Sequence, residues 1–245
     1  MNNEEKLEKA QKIIASGLDR KGAADILWLT GIGGHPVENL GELRLYSDFL
    51  PRVDDFGFTE SQRFLHFLWD ALDKSPVGLD AGFSIPFRRI VAKALFRKCG
   101  KNFIAEENVR FNFGQAIEVG DDVFLNRGVF LDSKGGITIG NSTGLAENVQ
   151  VFTHSHSESD HTKRTYKKVT IGNFVVVYTA SIILPGVCIG DEAIVAAGSI
   201  VTEDVEASMM VGGRPAGPIR KRRAEGRHGR DLHHLWLKDG LFQGE

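Results

Sequence analysis

Aliphatic residues recur at intervals of six through the second half of this chain. The series is Val119, Leu125, Leu131, Ile137, Val149, then Ile171, Val177, Ile183, Ile189, Val195 and Val201. A period of six fits neither an α-helix nor a long alternating strand. It fits a chain that forms a short strand, turns a corner and repeats, with each aliphatic side chain pointing to the axis of a coil. The pattern therefore predicts a mainly β fold, a parallel β-helix of stacked coils.

The composition is that of an ordinary globular protein with a polar surface. Of its 245 residues 42% are hydrophobic and 25% charged, and the net charge is −2. The sequence has no apolar run that predicts a membrane span, and its first residues lack the features of a signal peptide. Cys99 and Cys188 are far apart, and Cys188 replaces a small residue of the repeat, which predicts a buried thiol. We therefore expect a cytoplasmic protein without stable membrane insertion.

Three regions follow from these patterns. Residues 1–101 predict a helical N-terminal region that caps the coil, residues 102–205 the β-helix, and residues 206–245 a turn, a basic segment and a short helical tail over Leu232–Phe242. Thr59 and Gln62 form a capping-box pattern ahead of an apolar helix face. Pro86 predicts the start of a basic helix that runs to Lys98.

That basic helix carries Arg88, Arg89 and further cations beside apolar residues. We expect it to cover the open end of the coil with its cations in solvent; the alternative is a helix resting on a membrane surface. The later basic run at 220–223 is short and has no interleaved aromatic residues, so we expect it to bind a cofactor phosphate or solvent rather than nucleic acid.

The repeat resembles the hexapeptide-repeat acyltransferases, closest to the galactoside and maltose O-acetyltransferase branch. Three stretches carry the resemblance: Asn148-Val149-Gln150-Val151-Phe152-Thr153-His154-Ser155-His156, then Ile183-Leu184-Pro185-Gly186-Val187-Cys188-Ile189-Gly190-Asp191, and Gly213-Arg214-Pro215-Ala216. The resemblance implies a left-handed parallel β-helix that assembles as a homotrimer. It also implies acetyl coenzyme A as co-substrate, no metal, and O-acetylation of a saccharide-like hydroxyl.

The repeat lapses at residues 153–168, a polar stretch that cannot pack on the axis and is expected to form a loop. Acyl transfer to a hydroxyl needs a base, and imidazole suits that task. Alignment to the family pattern places His156 at the catalytic position, and His154 is the second candidate. Asn126 and Asp132 resemble acceptor-site residues, and Asp132 could instead orient the histidine. Direct attack on the thioester is expected, because no Ser–His–Asp series is evident.

Counting eighteen residues per coil places His156 over Thr138 and Gly120, in a different column from those of Asn126 and Asp132. Residues in three columns point in different directions, so they converge only if the loop folds back or if two subunits share the site. The count therefore favours a composite site at a subunit interface, repeated three times in a trimer.

Coenzyme A contacts are implied by the resemblance at six positions: Thr179, Ala180, Ala197, Thr202, Arg220 and Lys221. The alanines would let a pantetheine arm lie against the coil, and the two cations would meet phosphates. Simple packing at a corner explains the alanines equally well.

Three alternatives stay open. The same base would serve an N-acetyltransferase acting on an amino sugar or antibiotic. His156 and His161 have the five-residue separation of β-helical zinc carbonic anhydrases, although a third ligand is hard to find. A scaffold without catalytic activity is the third alternative, and it would tolerate His156→Ala.

Overall fold

The structure, a computed structural model, describes residues 1–33 and 37–232. It divides into two compact units, Met1–Phe96 and Arg97–Glu245. The predicted role of the first unit as a cap of the coil stays a prediction.

Helices build the first unit. They are α1 (Asn3–Ala15), α2 (Arg20–Thr30), α3 (Val37–Leu40), α4 (Glu60–Leu72) and α5 (Ala81–Leu95), with 3₁₀ turns at Tyr46–Phe49 and Pro76–Leu79. The predicted capping box is confirmed, because Thr59 accepts from the Gln62 amide and Gln62 accepts from the Thr59 amide. Within the described residues no helix combines the length and apolarity that crossing a bilayer requires.

Two predictions for the basic helix are wrong. Helix α5 begins at Ala81, where Asp80 accepts from the Gly82 amide, and it contains Pro86 rather than starting there. The cations are not all in solvent: Arg88 is 1% exposed and Arg89 is 8% exposed. Arg88 forms an ion pair with the buried Asp73, and a charge is buried in this way only when it is paired.

Short strands build the second unit. In chain order they are β1 (Lys98–Cys99), β2 (Ile104–Ala105), β3 (Arg110–Phe111), β4 (Ile117–Val119), β5 (Phe124–Leu125), β6 (Phe130–Asp132), β7 (Ile137–Ile139), β8 (Gly144–Leu145), β9 (Gln150–Phe152), β10 (His154–His156), β11 (Arg164–Tyr166), β12 (Val169–Ile171), β13 (Val176–Val177), β14 (Ile182–Ile183), β15 (Cys188–Ile189), β16 (Ile194–Val195), β17 (Ile200–Val201), β18 (Met209–Gly213) and β19 (Ala216–Lys221).

Three parallel sheets form the faces of a coil. Sheet A contains β1, β4, β7, β12 and β15; sheet B contains β2, β5, β8, β13, β16 and β18, with β19 added antiparallel at its edge; sheet C contains β3, β6, β9, β14 and β17. Every aliphatic residue of the six-residue series is buried. The predicted fold class, a mainly β left-handed parallel β-helix after a helical region, is confirmed.

The corner between sheets A and B is held by a stack of glycines, each followed by a polar residue. The Asn141 carboxamide oxygen accepts from the Asp121 amide at 2.8 Å, and the Asn173 oxygen accepts from the Asn141 amide at 2.8 Å. Only a glycine fits beneath this ladder, since a Cβ on Gly140 would lie 2.6 Å from the carbonyl carbon of Gly172. Glycine at these corner positions is therefore a steric requirement of stacking.

The corner between sheets C and A is where the length of the coil changes. Thr138 pairs with Glu118, twenty residues earlier, whereas Cys188 pairs with Thr170, eighteen residues earlier. Between them Thr170 pairs with Thr138, because the chain leaves the coil as the antiparallel hairpin of β10 and β11. We call this edge the C–A corner.

The structure bears on two further predictions, the burial of Cys188 and the turn after β18. The Cys188 side chain is exposed rather than buried, because its neighbours Val187 and Ile189 take the inward positions of the strand. The Gly212–Pro215 turn joins β18 to β19. The predicted C-terminal helix lies, apart from Leu232, outside the described residues.

We predict that Gly140→Ala destabilises the coil, whereas Gly217→Ala does not. A methyl group on Gly140 meets backbone atoms of the next coil, while one on Gly217 meets nothing within 4 Å. Urea unfolding should show a loss of about 1–3 kcal/mol for Gly140→Ala and a change within about 0.5 kcal/mol for Gly217→Ala. Equal stability of the two variants would contradict the stacking role of Gly140.

Candidate active site

The C–A corner is built from three stacked excursions of the chain. The 3₁₀ turns Gly114–Ala116 and Ser133–Gly135 lie in successive coils, and the β10–β11 hairpin follows in the next coil. Ser133 joins the first two, because its hydroxyl accepts from the Phe113 amide and donates to the Phe113 carbonyl, both at 2.9 Å. The corner is thus an ordered platform beneath the hairpin.

Thr153 fixes the base of the hairpin. Its fully buried hydroxyl accepts from the Gly135 amide at 2.7 Å and donates to the carbonyl of Asp132. Its own carbonyl accepts from the Lys167 amide at 2.8 Å. Both strands of the hairpin are therefore anchored on the turn that follows Asp132.

Asp132, Lys134 and His154 form a charged cluster at this anchor. The Asp132 side chain is 1% exposed; its Oδ1 accepts from Lys134 Nζ at 2.7 Å, and its Oδ2 contacts His154 Nδ1. Since an ionised carboxylate only accepts, we assign the imidazole proton to Nδ1, which leaves the Nε2 lone pair of His154 available. The arrangement can take a proton from a bound hydroxyl and hold the resulting imidazolium against a carboxylate.

His156 lies in a different environment. It is exposed, its Nδ1 faces the carbonyl oxygen of His161 at 2.9 Å, and its ring stacks on that of His161 with centroids 5.1 Å apart. The rings of His154 and His156 are 5.3 Å apart, and Tyr166 lies across the hairpin with its ring 6.4 Å from that of His154. His156 therefore borders the cluster, and its Nδ1 faces a backbone carbonyl rather than Asp132.

The predicted column of His156 is wrong. Thr138 pairs with Glu118 and Thr170, and His156 pairs with Arg164 within the hairpin. A count of eighteen residues per coil fails here because the chain leaves the coil after Phe152 and rejoins it at Val169. As a result one chain brings Asp132 and a histidine together, and the histidine is His154.

Asn126 lies at another corner, between sheets B and C. Its carboxamide oxygen accepts from the Arg127 amide at 2.7 Å. The Glu147 backbone amide, the Thr179 hydroxyl at 3.0 Å and Asn126 together hold the pKa of Glu147 below its usual value. One predicted acceptor residue and one predicted cofactor residue are therefore linked through Glu147.

Among the predicted cofactor residues, Thr179, Ala180 and Ala197 lie together and exposed at this B–C corner. The Thr179 carbonyl accepts from the Gly198 amide at 2.8 Å, which stacks the two coils. Thr202 is exposed directly after β17, so one face of the coil, sheet C, separates it from the B–C corner. Arg220 and Lys221 lie on β19 at the edge of sheet B.

Sequence reasoning missed Lys134 and Glu147. Lys134 follows Asp132 by two residues in the Ser-Lys-Gly-Gly turn, and only the tertiary fold reveals its burial. Glu147 could have been found, because Glu107, Arg127 and Glu147 recur at intervals of twenty and form one charged column. Among the described residues, no three His, Cys, Asp or Glu side chains are grouped so as to hold a metal ion.

Known proteins resemble this chain in sequence and in structure. Galactoside O-acetyltransferase of Escherichia coli K12 is 30% identical over 145 residues, which span 58% of this chain and 71% of that protein. No protein-family model matches.

Solved structures of acetyltransferases also resemble this chain. A maltose O-acetyltransferase of Clostridium difficile superposes with a TM-score of 0.59 at 28% identity, over 67% of this chain and 86% of that one. A hexapeptide-repeat acetyltransferase of Vibrio cholerae, complexed with acetyl coenzyme A, superposes with a TM-score of 0.53 at 26% identity, over 64% of this chain and 88% of that one.

We predict that Thr153→Val loosens the anchor of the hairpin. The change leaves the partly buried Gly135 amide without its acceptor, which costs about 1–3 kcal/mol of unfolding free energy. Thr162→Val is the matched control, because the Thr162 hydroxyl bonds Asp160 at the exposed tip of the same hairpin. Urea unfolding that finds equal losses for the two variants would exclude the anchoring role of Thr153.

Proposed function

Because this chain belongs to the hexapeptide-repeat acetyltransferase family, we propose that it transfers an acetyl group from acetyl coenzyme A to a hydroxyl of a saccharide-like acceptor. The observation that carries the proposal is the contact between the buried Asp132 carboxylate and the His154 imidazole. The names of the galactoside and maltose enzymes support a saccharide as acceptor.

His154 is the proposed general base. Its Nε2 removes the proton as the acceptor oxygen attacks the thioester carbonyl, and Asp132 stabilises the imidazolium. The tetrahedral intermediate then expels the coenzyme thiolate, and the C–S bond breaks as the imidazolium returns the proton to sulfur. Main-chain amides near the corner are the proposed donors to the oxyanion.

This assignment replaces the alignment-based preference for His156. Both histidines have Nδ1 next to an oxygen, but the oxygen facing His154 belongs to a buried carboxylate, whereas that facing His156 is a backbone carbonyl. A charged acceptor forms the stronger hydrogen bond and favours the imidazolium formed during transfer. His156 and Tyr166 then border the acceptor.

Acetyl coenzyme A is the proposed co-substrate, as in the Vibrio cholerae complex. Thr179, Ala180 and Ala197 are the proposed contacts of the pantetheine arm, because they share one exposed corner. Arg220 and Lys221 are proposed to bind the phosphates of the cofactor. Thr202 is proposed to contact the part of the cofactor that lies near the last coil.

The proposed assembly is a homotrimer with a site between subunits. Asp132 and His154 lie at the C–A corner, while Asn126 and the proposed pantetheine contacts lie at the B–C corner. A ring of three chains would place the first corner of one chain against the second corner of its neighbour. Such a ring has three equivalent sites.

We predict that His154→Ala abolishes acetyl transfer while His156→Ala retains most of it. Removing a general base lowers kcat by about 10²–10⁴-fold. Release of coenzyme A thiol should be followed across a panel of sugars and amino sugars, with His161→Ala as a control on the same hairpin. A large loss in His156→Ala with normal rates in His154→Ala would reverse the assignment.

Mixing two defective chains tests the shared site. Asn126→Ala and His154→Ala chains, carrying different affinity tags, should each be impaired and should regain activity when refolded together. Random assembly into a ring leaves about one quarter of the interfaces with both residues intact. Doubly tagged trimers that show no gain over the separate chains would exclude a site shared through Asn126.

A further inference from the structure

Lys134 is a buried cation at the C–A corner. Its side chain is 11% exposed, and its ammonium group lies 2.7 Å from Asp132 Oδ1. Lysine is seldom buried, since removing an ammonium group from water is costly unless a counter-charge replaces the water. The proposed transfer reaction assigns Lys134 no step, so its burial beside the base calls for a separate explanation.

The three side chains share one carboxylate. Lys134 Nζ approaches Asp132 Oδ1, His154 Nδ1 contacts Asp132 Oδ2, and the two nitrogens are 3.3 Å apart. Both nitrogens are donors when Nδ1 carries the imidazole proton, so neither accepts a hydrogen bond from the other. Lys134 therefore takes one oxygen of Asp132, while the second oxygen meets the imidazole and also accepts from the Thr153 amide at 3.5 Å.

We propose that Lys134 is a positioning residue that holds the Asp132 carboxylate in the rotation presenting Oδ2 to His154 Nδ1. This inference rests on the proposed function of His154 as the base. A carboxylate rotates readily about its last bond, and fixing one oxygen fixes the other. The ammonium group also balances the negative charge of a carboxylate that is 1% exposed.

The consequence is a fixed tautomer of the base. With Oδ2 facing Nδ1, the proton of the neutral imidazole stays on Nδ1 and the lone pair on Nε2. Without Lys134 the carboxylate can turn, and a fraction of His154 then carries its proton on Nε2, where it cannot accept one from the acceptor. Lys134 thus acts through Asp132 on His154 and does not contact the substrate.

Nitrogen NMR of the imidazole ring tests this directly. In the full chain labelled with ¹⁵N-histidine and assigned with His154→Ala, the His154 signals should show mainly the Nδ1–H tautomer. Lys134→Met should shift them toward a mixture of tautomers, and Lys163→Met should not. Lys163 is the matched control, because it also pairs with an aspartate but is 77% exposed at the tip of the hairpin.

Kinetics give a second readout. Lys134→Met should lower kcat by about 10²-fold through misplacement of the base, with the KM for acetyl coenzyme A unchanged, and Lys134→Arg should restore part of the loss. An unchanged His154 tautomer in Lys134→Met overturns the inference. If Lys134→Met does not fold, Lys134→Leu, which also removes the donor, is judged by the same spectrum.

The two proposals can fail separately. A wild-type chain that transfers no acetyl group but shows the expected tautomer change in Lys134→Met contradicts the proposed function and leaves the positioning role intact. An active wild-type chain whose His154 tautomer ignores Lys134 contradicts the positioning role alone.

Discussion

In-register pairing of successive coils is the constraint on which the rest of the second unit depends. Each two- or three-residue strand of the three parallel sheets bonds to strands of the neighbouring coils, so the position of a side chain is set by the coil beneath. Along the A–B corner this constraint is visible as the Gly–Asx ladder, in which Asn141 and Asn173 satisfy amides of neighbouring coils. A coil can change its length only where an excursion leaves the register of all three sheets unchanged.

Such excursions occur at the C–A corner, and the candidate active site lies there for the same reason. The chain between β9 and β12 can leave as a hairpin because Phe152 and Val169 still pair in register with β6 and β7. Polar residues that could not face the axis are thereby carried out of the coil. Their first turn remains anchored by Thr153, so His154 is held against Asp132 while the hairpin tip reaches solvent.

Sequence predicted the parts of the fold that repeat and failed where repetition stops. The six-residue series identified the inward residues. Counting misplaced His156 because the coil length changes at the C–A corner, and it gave no sign that Asp132 would meet His154 rather than His156. The burial of Lys134 and of Arg88 was equally inaccessible, since a pattern of charges does not reveal which cation has a buried partner.

Three buried or nearly buried ion pairs in the described residues show why only one of them is a candidate for chemistry. Arg63–Asp48 and Arg88–Asp73 join helical segments of the first unit. Lys134–Asp132 differs, because the second oxygen of the same carboxylate meets an imidazole that is 19% exposed. Under the proposed function, Lys134 holds the carboxylate and the carboxylate holds the base at the edge of solvent, where the acceptor proton is taken up.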